Sequence, residues 1–323
     1  MTTTDKHRKA TSARGAETRS AGTSEPTSTG ESEPTAAGGS GPASASRDEP
    51  EPAGKVTPRA PLAVLAGATA THGTGRDGDI PLPRLPGFVE SAFSPLVYEV
   101  AARCLTGRPG GGTSRCEAES GEGSRTAVVL VSLMGDTTTA DLASRRVVSG
   151  RVHNPLLFMQ ATANSVLGHL SREFGITGQM FSLSTLDDPV TELLAMADLL
   201  LEDPELDQVL VVGVELGGGE RWAAVHRELS AGNGRAVPDL PASAALAAAV
   251  LLGRPDAGAG PDAGAHPGSG ALMPIRSPET YAGERSAAAP HNGSIQGLFD
   301  LAAAHRRLSR DGERDETESH AHQ

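Results

Sequence analysis

Hydrophobic residues fall into short runs along this chain, separated by polar and glycine-rich segments, and the spacing within each run predicts its secondary structure. Continuous apolar runs of this length are typical of strands that are covered on both faces. The predicted strands are residues 62–67, 126–133, 179–185 and 208–214.

Between these runs, apolar residues recur at helical spacing and predict amphipathic helices. Ser94 and Pro95 supply an N-cap and a first-turn proline for a helix that ends at Leu105. A second helix carries Met159, Ala163, Val166, Leu167, Leu170 and Phe174 and ends at Gly175, and a third carries Val190, Leu193, Leu194, Ala197, Leu200 and Leu201. The strand–helix–strand order after residue 179 predicts parallel strands with a right-handed crossover, and hence a layered α/β domain.

Composition limits how much of the chain packs into a core. Residues 1–60 contain no Leu, Ile, Phe, Trp or Tyr, so they cannot bury enough apolar surface to offset chain entropy, and we predict a disordered segment. The predicted core domain is 61–252, followed by a flexible Gly/Pro/Ala-rich linker or loop at 253–290. A C-terminal helix at 291–308 is expected to pack on the core, and a charged tail at 309–323 ends the chain.

Charge and cysteine content exclude several classes of function. The net charge of -12 and the absence of a basic stripe argue against nucleic-acid binding. No apolar segment follows the basic residues at the start, so we expect neither a secretory signal nor a membrane anchor, and a cytoplasmic location follows by default. Cys104 and Cys116 are too few for a disulfide framework and lack metal-ligand spacing, and Cys104 fits a buried structural thiol. Neither a metal nor another cofactor is expected.

A series of short motifs resembles the nucleophile-bearing, N-terminal half of β-ketoacyl synthases, which belong to the thiolase-like superfamily. In chain order the motifs are Asn154-Pro155, Gly168-His169-Leu170, Gly175-Ile176-Thr177-Gly178, Ser184-Thr185, and Asp207 followed by Val-Leu-Val-Val-Gly-Val-Glu at 209–215. The resemblance covers about the first half of a ketosynthase plus a remnant of its end. It implies a thiolase-like half-domain, layered α/β, with a mixed, mostly parallel sheet. It also implies a strand at 242–252, where helix propensity alone favours a helix, and we prefer the strand.

The family places its nucleophilic cysteine at a strand-to-helix junction, and in this chain that position is Asp187. There the helix N-terminus lowers the pKa of a thiol and offers N–H groups to an oxyanion. Asp187 and Asp188 can instead cap the following helix, which is the interpretation we favour. A carboxylate nucleophile at Asp187, or a hydroxyl nucleophile at Ser184 or Thr185, stays as the alternative.

Two histidine motifs complete a ketosynthase site. His291, with an apolar helix after it, matches the spacing of the second catalytic histidine, although an exposed histidine without function is equally compatible. The sequence His72-Gly73-Thr74-Gly75 looks like the first motif but follows the first predicted strand, where we expect a tight turn without catalytic function.

These motifs lead to two hypotheses. In the first, the chain is a β-ketoacyl synthase-like, non-catalytic accessory subunit, similar to chain length factors, in fatty acid, aryl polyene or polyketide biosynthesis. Its partners would be a full-length ketosynthase and an acyl carrier protein, and it would form a homo- or heterodimer through strand 179–185. In the second, it is a divergent acyltransferase or condensing enzyme that uses His291 or Asp187 on carrier-protein thioesters.

Overall fold

In a computed structural model of the protein, the apolar runs form the strands of a six-stranded sheet. The structure describes residues 60–106, 122–151, 156–185, 189–233, 240–255, 273–275 and 292–321. The strands are β1 (Leu62–His72), β2 (Thr126–Val131), β3 (Met180–Leu183), β4 (Gln208–Leu216), β5 (Ala245–Gly253) and β6 (Met273–Ile275). The helices are α1 (Phe93–Thr106), α2 (Thr137–Val148), α3 (Leu156–Gln160), α4 (Asn164–Phe174), α5 (Pro189–Leu200), α6 (Glu220–Asn233) and α7 (Gln296–Ala321).

The sheet is mixed, in the order β3-β2-β4-β5-β1-β6. Strand β2 pairs in parallel with both β3 and β4, whereas β5 is antiparallel to its neighbours β4 and β1. Strands β1 to β4 therefore point in one direction, and β5 and β6 point in the other. The predicted layered α/β architecture with a mixed, mostly parallel sheet is confirmed in that four of the six strands point one way, although only the pairs β3–β2 and β2–β4 are parallel. The unit β3–α5–β4 is confirmed as well.

Helices cover both faces of the sheet, because alternate side chains of the central strands point to opposite faces. On one face, α1 and α4 pack against one apolar cluster that includes Val128, Leu130, Leu210 and Val212. On the other face, α5 and the start of α7 pack against a second cluster that includes Val129, Val131, Val209 and Val211. Every residue of β2, β4 and β5 is buried as a result.

The amphipathic helix predicted from Met159 to Phe174 is two helices instead of one. Helix α3 ends at Gln160 and α4 begins at Asn164, and at the break the Thr162 hydroxyl donates to the carbonyl of Met159 at 2.7 Å. A hydroxyl that bonds the local backbone competes with the helical hydrogen bond, which explains the interruption. Met159, one of the apolar residues at helical spacing in the predicted helix, is 62% exposed.

Other elements extend or add to the predictions. Strand β1 continues through His72, and the C-terminal helix continues past residue 308 to Ala321, through the predicted tail. Residues 245–253 are a strand, as the resemblance implies and against helix propensity. Helices α2 and α6 and the short strand β6, which lies within 253–290, have no counterpart among the predicted elements. The Cys104 side chain is buried, as predicted, and burial raises the pKa of its thiol to about 12. Residues 1–59 and Cys116 lie outside the described residues.

Helix α7 lies close to the sheet because β1 has a glycine beneath it. A Cβ added at Gly67 would lie 2.9 Å from the Cα of Ala302, and a backbone atom cannot move aside cheaply. We therefore expect Gly67→Ala to lower the free energy of unfolding by about 1 to 3 kcal/mol, measured by urea denaturation.

Gly168→Ala on α4 is the matched control, since an added Cβ there meets nothing within 4 Å. We expect that variant to be stabilised by about 0.4 to 1 kcal/mol, because alanine restricts the unfolded chain and favours helix. Equal effects of the two substitutions would contradict the close approach of α7 to β1.

Candidate functional site

The candidate site lies at one edge of the sheet. Because β1, β2, β3 and β4 run in the same direction, their carboxyl ends, at His72, Val131, Leu183 and Leu216, meet there. In α/β sheets ligands bind outside the carboxyl ends of the strands. Both segments that the sequence singled out as chemical also approach this edge.

Glu215 is the central polar residue of this edge. It is the penultimate residue of β4, and its side chain is only 3% exposed. Its Oε1 accepts a hydrogen bond from the Leu133 backbone N–H at 2.8 Å and another from the Ser294 hydroxyl at 2.6 Å. Its other oxygen, Oε2, is buried and has no hydrogen-bond partner among the residues that the structure describes.

Burial controls the ionisation of this carboxyl group. Removal from water raises the pKa of Glu215 from its ordinary 4.5 to about 7, although the hydrogen bonds from Ser294 and Leu133 act in the opposite direction. Near neutral pH a large fraction of Glu215 therefore carries a proton. This carboxyl group can then donate as well as accept a hydrogen bond.

A short chain of hydrogen bonds links the two predicted motif segments through Glu215. The Ser184 hydroxyl donates to the carbonyl of Leu133 at 3.0 Å, and the N–H of the same Leu133 donates to Glu215. Ser184 lies three positions before Asp187, and Ser294 lies three positions after His291. The fold thus brings the strand-to-helix junction and the start of the C-terminal helix to one place.

The two predicted catalytic positions, Asp187 and His291, lie outside the described residues, as does Asp188. Only their described neighbours can be placed. Helix α5 begins at Pro189, directly after the junction, and Asn292 is buried, directly after His291. The assignments of Asp187 and His291 stay predictions.

The segment His72-Gly73-Thr74-Gly75 forms a turn, as predicted. Both glycines have positive φ angles, 64° and 74°, which suit residues without a Cβ. The carboxylate of Asp79 holds the turn, since it accepts hydrogen bonds from the hydroxyls of Thr71 and Thr74 and from the N–H of Gly75. These bonds lower the pKa of Asp79, while desolvation opposes them.

This turn also contacts the other motif segment. Arg76 donates from Nη1 to the side-chain oxygen of Asn292 at 2.9 Å, and the Asn292 N–H donates to the side chain of Gln296. The turn is therefore a positioning element for the residues next to His291. Sequence inspection missed this function because the two residues are 216 positions apart.

A stacked pair on α6, Trp222 and His226, is the second buried polar feature near this edge. Their ring centroids are 3.9 Å apart, and both side chains are buried. Within the described part of the chain, Trp222 Nε1 and His226 Nε2 have no hydrogen-bond partner. Burial lowers the pKa of His226, which favours its neutral form. The described residues contain no group of three or more His, Cys, Asp or Glu that could hold a metal ion.

Sequence inspection also missed the function of Glu215. The motif ends at this residue, although a carboxylate at the end of an otherwise apolar run, residues 209–214, is a signal in itself. Buried carboxylates are rare without a partner. The sequence does not show that the partners come from residues 133 and 294.

Solved structures similar to this chain are ketosynthases and chain length factors, the class of protein that the motifs resemble. One is from the complex of a ketosynthase with its chain length factor from Xenorhabdus doucetiae, with 17% identity over 62% of this chain and 79% of that chain, at a TM-score of 0.42. Another is from a type II polyketide synthase acyl carrier protein in complex with its ketosynthase bound to the hexaketide, with 13% identity over 61% and 64% of the two chains and a TM-score of 0.44. A third is from the ishigamide ketosynthase/chain length factor, with 13% identity over 53% and 46%, at 0.37.

At these identities the likeness concerns the arrangement of helices and strands and extends to no activity, substrate or partner. The match spans 79% of the first of these chains but only 64% and 46% of the other two. No family model and no curated protein matches the chain. Among the helices of the described residues, none combines the length and the hydropathy needed to cross a membrane.

The raised pKa of Glu215 predicts a pH-dependent stability. The unfolded chain loses this proton near pH 4.5, whereas the folded protein keeps it up to about pH 7. The contribution of Glu215 is therefore fully present below pH 4.5 and is lost as the pH rises towards 7. We expect Glu215→Gln to remove this dependence. Relative to the wild type, its free energy of unfolding should rise by on the order of 2 to 3 kcal/mol between about pH 5 and pH 8.

Urea denaturation at several pH values measures both proteins, and their difference isolates Glu215 from the histidines, which titrate in both. Parallel pH profiles of the two proteins would show that Glu215 has an ordinary pKa and that the buried network is absent.

Proposed function

We propose that the protein is a non-catalytic accessory subunit, similar to chain length factors, that pairs with a full-length ketosynthase in fatty acid, aryl polyene or polyketide biosynthesis. The order of the ketosynthase-like motifs supports a ketosynthase-like fold. The aspartate at position 187, in place of the nucleophilic cysteine, supports the loss of condensing activity. The observation that carries the proposal is the hydrogen-bond network around Glu215.

In this network the serine hydroxyls donate to other groups of the protein. The hydroxyl hydrogens of Ser184 and Ser294 both have protein acceptors, the Leu133 carbonyl and the Glu215 carboxyl group. A hydroxyl nucleophile needs a neighbouring base to remove its proton, and a backbone carbonyl cannot do so. The arrangement therefore supports a structural function for these residues and disfavours Ser184 as a substitute nucleophile.

Pairing with a partner is supported by the outer edge of β3, beside which the described residues place no further strand. Val128 N donates to the carbonyl of Gln179 and Ser132 N to that of Leu183, so the odd-numbered residues of this segment bond to β2. The backbone groups of Met180 and Ser182 therefore face away from the sheet. A strand with unpaired backbone groups is a template for a strand from another chain.

The opposite edge of the sheet is less suited to pairing. It is formed by β6, three residues long, with Pro274 in the middle. Proline lacks an N–H, and short strands with proline are a common protection of sheet edges. Of the two edges, β3 is therefore the one we assign to a homo- or heterodimer.

A divergent acyl-handling enzyme is the second candidate. The observation that favours it is that Ser184 and Ser294, each three positions from a predicted catalytic residue, both connect to the Glu215 network. The hypothesis needs the Asp187 carboxylate and the His291 imidazole to act on one carrier-protein thioester. A carboxylate at 187 would repel the carboxylate of a malonyl group, which disfavours this candidate. A test for acyl transfer to the protein distinguishes the two candidate functions.

We predict that the protein forms no covalent acyl adduct when it is incubated with acyl- or malonyl-loaded carrier protein, because it lacks a thiolate at position 187. Intact-protein mass spectrometry measures the adduct, with a condensing ketosynthase as the positive control. Asp187→Cys should not restore condensation, since a thiol alone does not supply the two histidines. An adduct that maps to Asp187, Ser184 or Thr185 would establish the enzyme and overturn the accessory function.

We predict that Ser182→Pro weakens association, with a second copy or with a full-length ketosynthase of the same organism, at least about tenfold in Kd. Proline removes an outward N–H while the hydrogen bonds between β2 and β3 stay intact. Ser182→Ala, which keeps the N–H, is the matched control and should bind as the wild type does. Sedimentation velocity measures both variants, and unchanged melting temperatures show that both fold.

A backbone substitution is preferable to a charge at Phe181, because Phe181 packs against the second core cluster and a charge there would damage the fold itself. The outcome against the proposal is a wild-type protein that sediments as a monodisperse monomer, both alone and with the ketosynthase.

A further inference from the structure

The outer edge of β1 is open along the middle of the strand. Strand β6 pairs only with residues 62–64 of β1, and the described residues place no other strand beside residues 66–70. Further along, the carbonyl of Thr71 accepts a hydrogen bond from the Ile80 N–H at 2.8 Å and so points away from β5. Backbone groups of alternate residues in an antiparallel strand point the same way, so those of Thr69 also face this edge.

Two arginines from opposite faces of the sheet meet at Thr69. Arg103, in the last turn of α1, donates from Nη1 to the Thr69 carbonyl at 3.1 Å. Arg306, on α7, donates from Nη2 to the Thr69 hydroxyl oxygen at 3.2 Å. Because α1 and α7 cover opposite faces, the two guanidinium groups reach around the strand edge from both sides.

Positive charge exceeds negative charge at this edge. Arg103 forms an ion pair with Glu99, at 2.7 Å between Nη2 and Oε1. Arg306 forms no ion pair with an acidic residue of the described chain, and neither does Arg310, one turn further along α7. Partial burial and the positive charges of Arg310 and Arg103 lower the pKa of Arg306.

This arrangement leaves two kinds of donor for a ligand. The Thr69 hydroxyl accepts from Arg306, so its own hydrogen remains available, and the Thr69 N–H faces the same edge. The guanidinium groups of Arg306 and Arg310 supply further N–H donors beside it. An anion bound between these cations would offset their mutual repulsion.

We propose that Arg103, Arg306 and Arg310 form, together with Thr69, a binding site for a phosphate group at the open edge of β1. Guanidinium groups match phosphate oxygens with paired N–H donors. Donors that come from two helices and a strand approach from different directions, which suits the tetrahedral oxygens of phosphate better than a planar carboxylate.

The net charge of -12 disfavours a polyanion such as a nucleic acid, so the ligand that we propose is a single phosphate group, free or as an ester. This proposal is independent of the accessory function and of the pairing through β3.

The test is isothermal titration calorimetry of the full-length protein with inorganic phosphate. We expect saturable binding with a Kd of about 1 mM or lower, and a Kd that rises at least about fivefold in Arg306→Gln and in Arg310→Gln. Glu99→Gln removes the carboxylate that is paired with Arg103 and should lower the Kd, a gain that damage to the fold would not produce. Unchanged melting temperatures show that the variants fold.

Arg307→Gln is the matched control, because it removes the same charge from the same helix. Arg307 is exposed, and helical spacing places it beside Asp311 and not on the stripe of Arg306 and Arg310. Its Kd should equal that of the wild type. Equal weakening in Arg307→Gln, equally tight binding of acetate, or no saturable binding of phosphate would overturn the proposal.

Glycerol 3-phosphate distinguishes the two sources of a phosphate group. Binding of both anions with the same dependence on Arg306 supports a site for phosphate esters. Binding of inorganic phosphate alone, with that dependence, supports a site for the free ion.

Discussion

The close approach of helix α7 to the sheet is the constraint on which the candidate site depends. It requires glycine at two strand positions, Gly67 on β1 and Gly213 on β4, because a Cβ at either position would lie less than 3 Å from atoms of the residues above it. With these side chains absent, Ile295 and Leu298 pack directly on the sheet. At this depth the Ser294 hydroxyl reaches the carboxyl group of Glu215, the penultimate residue of the buried strand β4.

Glu215 joins distant parts of the chain through hydrogen bonds. One oxygen, Oε1, joins the end of β2, through the Leu133 N–H, to the start of the C-terminal helix, through Ser294. Leu133 in turn accepts from Ser184, so three segments are fixed relative to each other by one buried acid. The cost of burying the acid is reduced because it is partly protonated near neutral pH, a state in which desolvation is far cheaper than for a carboxylate.

Local pattern predicted most strands, since their residues are apolar in continuous runs and their burial follows from composition. Strand β5 shows the limit of propensity. Its alanines and leucines favour a helix, yet the free positions beside β4 and β1 offer hydrogen bonds that only a strand can use. Helix α2 was missed because only Thr139 and Ala143 of its residues are buried, so it has almost no apolar stripe to detect. The break between α3 and α4 depends on the hydroxyl of Thr162, which a count of apolar positions ignores.

The candidate site was predictable only in part for a related reason. The sequence motifs located two segments of interest, but the residue that joins them finds its partners 82 and 79 positions away. The spacing of apolar residues along the sequence does not reveal such contacts. They arise from the order of strands in the sheet and from the depth at which α7 packs. Arg76 and Asn292 depend on the same geometry over a still longer separation.

The exposed apolar side chains of α3 and the outer edge of β3 lie at the same end of the sheet. Strand β3 forms its outer edge, α4 packs against β3, and α3 leads into α4. At the opposite end, the proline of β6 removes one of the few N–H groups that this edge could offer. In the pairing that we propose, the partner meets the β3 side, where the backbone groups of Met180 and Ser182 have no hydrogen-bond partner among the described residues. A hydrogen-bonded edge gives little affinity without apolar burial beside it, because unpaired backbone groups on free strands are already satisfied by water. In the proposed pairing, the exposed apolar side chains of α3 would supply such area on this side of the sheet, which links the helix break at Thr162 to the strand edge.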